Sequence, residues 1–365
     1  MNSSSINHLT LAALHRVAPV TERVLHLLMD SALLSQPLAT WTLSDLEHLG
    51  LPADRALAIL QALPEVSIDD TADQLHRYSI QVILHADPDY PDQLREIASP
   101  PPLLYVRGRL DSIQRSGLAV VGTRRPSPYG LGVLRPLLQP VIQQGLTIVS
   151  GLALGIDGSA HQLAVDAQRP TIAVLGCGLN QVYPWEHRQL ASDIVRHGGA
   201  IMSEFPLGAR PERHHFPQRN RIISGLAQAV LLVEAGERSG ALVTAKFAVD
   251  QNREVLVVPG PITSPQSVGP LNWLKLGATP VTSANDILAV FNRSAAVSTA
   301  ATAPPLARND TEARILAITG AGPTHVDEII EKSRLDSSVV AAALSLLEVD
   351  GLVRHLGGSI YILSA

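Results

Sequence analysis

The sequence predicts an α/β protein built on a doubly wound parallel sheet, with a small helical domain before it and a winged helix after it. Three observations carry this expectation. Six short apolar runs recur along the middle of the chain: LAVVG (118–122), LTIVSG (146–151), TIAVLG (171–176), AIMSE (200–204), AVLLVEA (229–235) and EVLVVPG (254–260). The segments between them are long enough for helices. The runs are predominantly apolar rather than alternating, which is the pattern of strands buried on both faces, and strands that alternate with helices run parallel.

Taken in order, residues 1–75 read as short helices. Leu9, Leu11, Leu14 and Val17, then Val24, Leu25, Leu27 and Leu28, recur at helical spacing, and Asp54 to Leu60 adds a turn or two. The sheet domain occupies 76–293. Residues 294–309 form a linker: SAAVSTAATAPPLA is small, Pro-containing and without a periodic apolar face. Residues 310–365 read helix, helix, helix, hairpin. Ile315, Leu316 and Ile318 mark the first helix, VDEIIEKS (326–333) the second and SSVVAAALSLLEVDG (337–351) the third, while Leu352–Val353 and Ile360–Leu363 flank a Gly357–Gly358 turn. That order makes a winged helix.

The 365 residues are 46% hydrophobic but only 4% aromatic, so the core is expected to be aliphatic. The single cysteine, Cys177, excludes an internal disulfide and paired cysteine metal ligands, and fits a reducing, cytoplasmic setting. No basic segment followed by an apolar one opens the chain, so no signal peptide is expected. The apolar runs are too short and interrupted for a membrane span.

Formal net charge is −5. Residues 1–75 hold three arginines against nine acids, a net −6, and residues 310–365 hold four basic against eight acidic groups, a net −4. The middle, 76–309, is therefore +5. A basic domain between acidic flanks is the footprint of a polyanion partner. Its densest stretch is ARPERHHFPQRNRIISGL (209–226), where Arg210, Arg213, Arg219 and Arg221 face one acid, Glu212. Arginine forks suit phosphate oxygens.

Ligands of an open parallel sheet sit beyond the carboxyl ends of its strands. There the chain carries VGTRRPSPYG (121–130), SGLALGIDGSAH (150–161), GCGLNQVYP (176–184) and EAGERSGALVTAK (234–246). Gly122 permits a tight turn, and Thr123, Ser127 and backbone amides are placed to donate to a phosphate at the next helix start, with Arg124 and Arg125 adding charge. The dinucleotide pattern G-x-G-x-x-G fails: Gln181 follows Gly176 and Gly178, and after Gly122 the next glycine is Gly130. No G-x-x-x-x-G-K-[ST] loop and no G-x-S-x-G elbow occurs. Asp157, His161, Ser150, Ser239 and Glu234 lie near strand ends, but Asp157 and Ser239 read better as helix caps than as parts of a triad.

These loops, in this order, resemble the DNA-processing protein A family (DprA, also called Smf). The likeness runs through MSEFPLGARPERHHFPQRNRIISGL, VEAGERSGALVTA and EVLVVPGPI, and upstream through HADPDYPDQLREIASPPPLLYVRG (85–108); it is continuous over about 85–290. F-P-x-R-N-R before an apolar helix is its most specific element. The resemblance implies a Rossmann-like domain, no catalysis, no cofactor and no metal. It implies a protein of natural transformation that binds and protects single-stranded DNA, dimerises through the sheet domain and helps load RecA. Carried over by motif, Arg124, Arg219, Asn220 and Arg221 line the strand's path, and Lys246 is a further contact, while Arg210 and Arg213 are expected to be solvated rim charges. Gly122, Thr123 and Ser127 complete the expected set.

The chain departs from the family in two places. Leu154 stands where some members have a basic residue. The turn VAPVTER (17–23) lacks the glycines of a DNA-binding helix-hairpin-helix, so 1–75 is expected to be sterile-alpha-motif-like or a degenerate helix-hairpin-helix with a packing or protein-contact role. The third helix of the winged domain, Asp336 to Asp350, contains no Lys or Arg, which disfavours major-groove reading. Phe216, Tyr129 and Tyr183 are the nearby aromatics, with Phe216 reading more as core than as a stacking platform. The alternative is a phosphoribohydrolase-like enzyme on a similar sheet, but its P-G-G-x-G-T-x-x-E motif is replaced here by EAGERSGALVTA.

Overall fold

Each of the six apolar runs forms one strand of a nine-stranded sheet. In chain order the strands are β1 (Gln81–Leu84), β2 (Leu103–Gly108), β3 (Gly117–Val121), β4 (Thr147–Ser150), β5 (Thr171–Val174), β6 (Ala200–Ser203), β7 (Ala229–Leu232), β8 (Glu254–Val257) and β9 (Thr279–Pro280). Their order across the sheet is β1-β2-β6-β5-β4-β3-β7-β8-β9. The computed structural model describes residues 3–109, 111, 117–292, 309–320, 322, 324–350 and 352–363. The chain divides into two compact units, Met1–Ala295 and Ala296–Ala365.

From β6 to β9 all pairs are parallel; β1 with β2 and β2 with β6 are antiparallel. The sheet is thus doubly wound, as expected, with an antiparallel edge that the apolar runs do not announce. QVIL and LLYVRG flank a Pro-rich stretch, so their strand character is weak in isolation.

Helices cover both faces. The first unit holds α1 (Ser3–Leu14), α2 (Glu22–Met29), α3 (Leu43–His48), α4 (Ala53–Ala62), α5 (Ile68–Arg77), α6 (Asp92–Arg95), α7 (Pro128–Gln143), α8 (Ile156–Asp166), α9 (Arg188–Arg196), α10 (His215–Gly225), α11 (Gly240–Asp250), α12 (Val268–Lys275) and α13 (Ala284–Val290). Successive strand residues point to opposite faces. On β3, Leu118 and Val120 join the core under α7 and α8, while Ala119 and Val121 join the core under α10 and α11. On β7, Ala229 and Leu231 take the first face, and Val230 and Leu232 the second. Each fully buried Leu or Val contributes roughly 1.5–3 kcal/mol, so two-sided burial explains why the runs are mostly apolar; buried polar groups within them, such as Ser150 and Thr171, hydrogen-bond to backbone carbonyls.

The helical segment and the sheet segment pack together within one unit. Leu11, Leu14, Leu25 and Leu28 of α1 and α2 share a buried cluster with Tyr105, Ala173, Leu175 and Ile201 of the sheet region. Apolar faces on helices this short have no other way to leave water.

The second unit contains α14 (Asp310–Thr319), β10 (Thr324–His325), α15 (Val326–Ser333), α16 (Ser337–Val349), β11 (Val353–Gly357) and β12 (Ile360–Leu363). The three strands are antiparallel in the order β10-β12-β11. Ile315, Leu316, Ile329, Val340, Leu344, Leu347 and Val353 form its core. This is the expected winged helix, with β10 added. Asn309 caps α14 by accepting from the Glu312 amide; the rest of the expected linker 294–309 lies outside the described residues. Among the described residues no helix is long and apolar enough to cross a membrane.

The loop between β4 and α8 shows how closely the ligand-facing loops pack. Gly155 holds φ +82°, and a Cβ there would lie 2.4 Å from the Thr123 carbonyl oxygen. Gly50 has the same φ but open space around it. Gly50→Ala is expected to cost roughly 1–2 kcal/mol from the left-handed backbone alone. Gly155→Ala adds a clash with unyielding backbone, worth about a further 1–3 kcal/mol. Urea unfolding followed by circular dichroism ranks the two; equal losses would exclude the clash.

Candidate nucleic-acid interface

The strand order turns back at β3: connections run outward through β4, β5 and β6, then return to β7 on its other side. Beyond the carboxyl ends of β3 and β7 lies a cleft of about 560 Å³. Its walls come from the loops after β3 (Gly122, Arg124), β4 (Ala153, Asp157) and β5 (Tyr183), from Arg213 and the first turns of α10, and from the start of α11 (Ser239, Gly240, Ala241). This is the crevice that doubly wound sheets use for ligands.

Helix α10 carries F-P-x-R-N-R into the protein interior. Arg219 is only 5% exposed. Its Nη1 donates to the Gly151 carbonyl at 2.9 Å and to the Val174 carbonyl, and its Nε donates to Asn220 Oδ1 at 3.2 Å. Burial pulls this guanidinium down to about 10, opposed by the Asp157 carboxylate, so it stays charged at neutral pH. Asp157 is itself pushed up by burial and held down by Arg219 and by the Gly151 amide, which donates to it at 3.1 Å. Asp157 therefore anchors the preceding loop and faces Arg219 instead of capping α8, whose N-cap is Gly155. Asn220 lines the cleft, and its Nδ2 donates to the Gly240 carbonyl at 3.2 Å.

Arg221 points away from the cleft. Both its terminal nitrogens donate to Glu204, Nη1 to Oε1 at 2.8 Å and Nη2 to Oε2 at 2.6 Å. Glu22 of α2 approaches Nη2 at 3.5 Å and accepts from Gln218 Nε2 at 2.9 Å. Expected as a DNA contact, Arg221 is instead a buried bidentate partner of Glu204, because a guanidinium taken out of water needs a counter-charge.

The anion site expected at the start of α7 is already occupied by the protein. The Ser127 amide donates to Glu234 Oε2 at 2.9 Å, and its hydroxyl donates to Glu234 Oε1 at 2.5 Å. Ser127 also caps the helix by accepting from Gly130. Glu234, 2% exposed, thus supplies the negative charge that a helix N-terminus attracts, and a Cβ on Gly130 would displace it. Ser127 is engaged in holding the loop, a correction to its expected phosphate role. Thr123 donates its amide to the Glu234 carbonyl at 2.7 Å and accepts from the Arg125 amide. Gly122 is required because a Cβ would run into Ile156. By contrast, the start of α11, capped by Ser239, opens into the cleft.

The outer wall is cationic and aromatic. Exposed Arg124 stands over the Phe216 ring, 5.4 Å from its centroid. Tyr183, 42% exposed, packs against Phe216 with centroids 5.5 Å apart. Phe216, expected as core, is only half-buried and lines the cleft. Arg213 is exposed and lines it too. Lys246 is exposed on α11 but is not among the lining residues. Leu154 sits exposed at the edge beside Arg124 and Tyr183.

The residues that suggest a triad on paper do not meet as one. Ser150 donates to the Val120 carbonyl, Ser239 caps α11, and buried His161 bonds Thr171. Burial pushes the His161 imidazole down to about 3, so it is neutral.

The buried pair gives two expectations. Arg221→Ala strands the Glu204 carboxylate and should cost about 3–5 kcal/mol, whereas Arg221→Met with Glu204→Leu should recover most of that loss. Thermal unfolding of the three chains checks this. Burial pushes the Glu204 carboxyl up, and the Arg221 guanidinium opposes that rise. Its folded value lies above its unfolded one, so its contribution is fully present below the ordinary carboxylate range and is lost as pH rises above that range. Glu204→Gln should flatten the pH dependence of stability in that window.

A profile of the family described as DNA recombination-mediator protein A matches residues 81–292, and one for the DprA winged helix domain matches residues 299–359. Protein Smf of Synechocystis sp. is 38% identical, covering 77% of this chain and 79% of that protein. The structure of DNA processing protein A from Streptococcus pneumoniae superposes with a TM-score of 0.66 at 32% identity, covering 79% of this chain and 98% of that one. DNA processing protein A from Helicobacter pylori, described with a single-stranded DNA binding mode, superposes at a TM-score of 0.53 and 26% identity, covering 58% and 95%. With its cleft at the switch point of the sheet and its F-P-x-R-N-R helix beneath it, the chain belongs to the DNA recombination-mediator protein A (DprA/Smf) family.

Proposed function

We propose that this protein binds single-stranded DNA in the cleft between β3 and β7 and acts without catalysing a reaction on it. The observation that carries the reading is the pairing of an exposed arginine with aromatic rings, Arg124 over Phe216 beside Tyr183, in a cleft whose floor is Arg219 and Asn220. Single-strand binders combine cations that track phosphates with rings on which any base stacks. Arg124 and Arg213 take phosphates, the α11 N-terminus adds amide donors, and Arg219 and Asn220 fix the floor. Gly122, Thr123 and Ser127 shape the loop, Arg221 holds α10 in place, and Lys246 serves a strand that extends beyond the cleft. Among the described residues Asp157 is the one acid lining the cleft, and it faces Arg219 instead of standing free as a general base for a phosphoribohydrolase-like reaction.

The wider role we infer is that of the family: protecting incoming strands in natural transformation, dimerising through the Rossmann-like domain and helping to load RecA in the cytoplasm. Family membership supports that role. The winged helix fits a protein-contact module, since the solvent face of α16 presents Ser338, Val339, Ala342 and Leu346 and no cation.

Fluorescence anisotropy with a labelled oligo-dT tests the binding reading. Arg124→Ala with Arg213→Ala should weaken binding and lower the salt slope by about 0.7 for each phosphate that is no longer neutralised. Phe216→Ala should cost about 1–3 kcal/mol with the slope unchanged. Affinity untouched by all three changes, or equal affinity for duplex, would sink the assignment. Deleting 294–365 should leave the affinity within about twofold, because α16 lacks the cations that phosphate binding requires.

A further inference from the structure

Three metal-ligating side chains converge at the start of α10, outside the groups used above. We propose that Glu212, His214 and His215 bind one divalent transition-metal ion, with zinc the best chemical match. One ligand atom from each residue lies within 4.8 Å of the other two. The His214 and His215 rings stand edge to face, 4.4 Å apart, and Glu212 Oε2 is 3.5 Å from His214 Nδ1, too long for a good hydrogen bond. A second observation points the same way. His215 is half-buried; its Nδ1 atom is out of water and makes no well-formed hydrogen bond, although the Gly176 and Arg210 backbone lies near the imidazole, and its ring is held by stacking on Phe205 at 4.0 Å. A polar atom left unpaired in a packed site is uncommon.

Two imidazoles and a carboxylate form a common three-ligand set for zinc, leaving a position for water or another oxygen. Calcium and magnesium prefer all-oxygen shells, so the donor set disfavours them. Metal–ligand distances near 2.0–2.1 Å place tetrahedral ligand atoms about 3.3 Å apart, so the exposed Glu212 and His214 side chains close in by roughly 1–1.5 Å through rotation. The sequence alone leads to an expectation of no metal, because ordinary spacing rules do not flag E-x-H-H; the turn into α10 groups these atoms. Arg213 lies between the ligands and lines the cleft, so the ion would pin this rim in place. The site itself does not depend on the DNA reading.

The test uses the untagged full chain, freed of metal, titrated with Zn2+ by calorimetry and with Co2+ by visible absorption. One equivalent of zinc should bind, with cobalt giving the intense bands of tetrahedral coordination. Glu212→Gln with His214→Asn, both on exposed side chains, should weaken binding at least about tenfold while leaving the circular dichroism unchanged. His215→Asn should do the same if its fold is intact. A wild-type chain that binds no zinc, or a double variant that keeps its equivalent, would overturn the proposal.

Discussion

Neutralising two buried guanidinium groups is the constraint on which the rest of this structure depends. Arg219 and Arg221 lie on the helix that forms the floor of the cleft, and both are largely out of water. Such burial is tolerable only with matched counter-charge and saturated donors. Asp157 and two backbone carbonyls serve Arg219; Glu204 serves Arg221 through two parallel hydrogen bonds. The partners come from the ends of three different strands or their loops. The Arg221–Glu204 ion pair and the Arg219 hydrogen bonds to backbone carbonyls therefore fix α10 to the sheet, and Phe216 and Asn220 are presented to the cleft because the arginines behind them are held.

The same matching of charge appears at the helix N-termini. The sheet directs α7 and α11 toward the crevice, and either could attract an anion. The protein closes the first with its own Glu234 carboxylate and leaves the second open. Positive potential is thereby concentrated on one side, where Arg124 and Arg213 remain exposed.

The acidic helical segment takes part in this arrangement. Its negative charge disfavours a polyanion partner, and one of its acids is engaged inside the molecule. Glu22 accepts from Gln218 and approaches Arg221, so α2 reaches the helix that lies under the cleft. The shared apolar cluster with the sheet makes that reach rigid.

Six strands, their parallel order and the winged helix were legible in the sequence, because two-sided burial and helical spacing are local patterns that any residue run displays directly. The cleft's place was legible too, since loops after parallel strands gather at one end. That Arg213 faces the solvent was legible, but that Arg221 turns inward was not. Arg221 reads as a strand contact beside Arg219 and Asn220, and only the distant Glu204 and Glu22 decide that it is buried. Likewise Ser127 looks like a phosphate donor until Glu234, more than a hundred residues later, fills its place. Phe216 looks like core until the loops after β3 and β5 bring Arg124 and Tyr183 to it. Periodicity is set by neighbours in the chain, whereas the pairing of a charge is set by whatever the fold brings within a few ångströms, and that was decided by the tertiary structure alone.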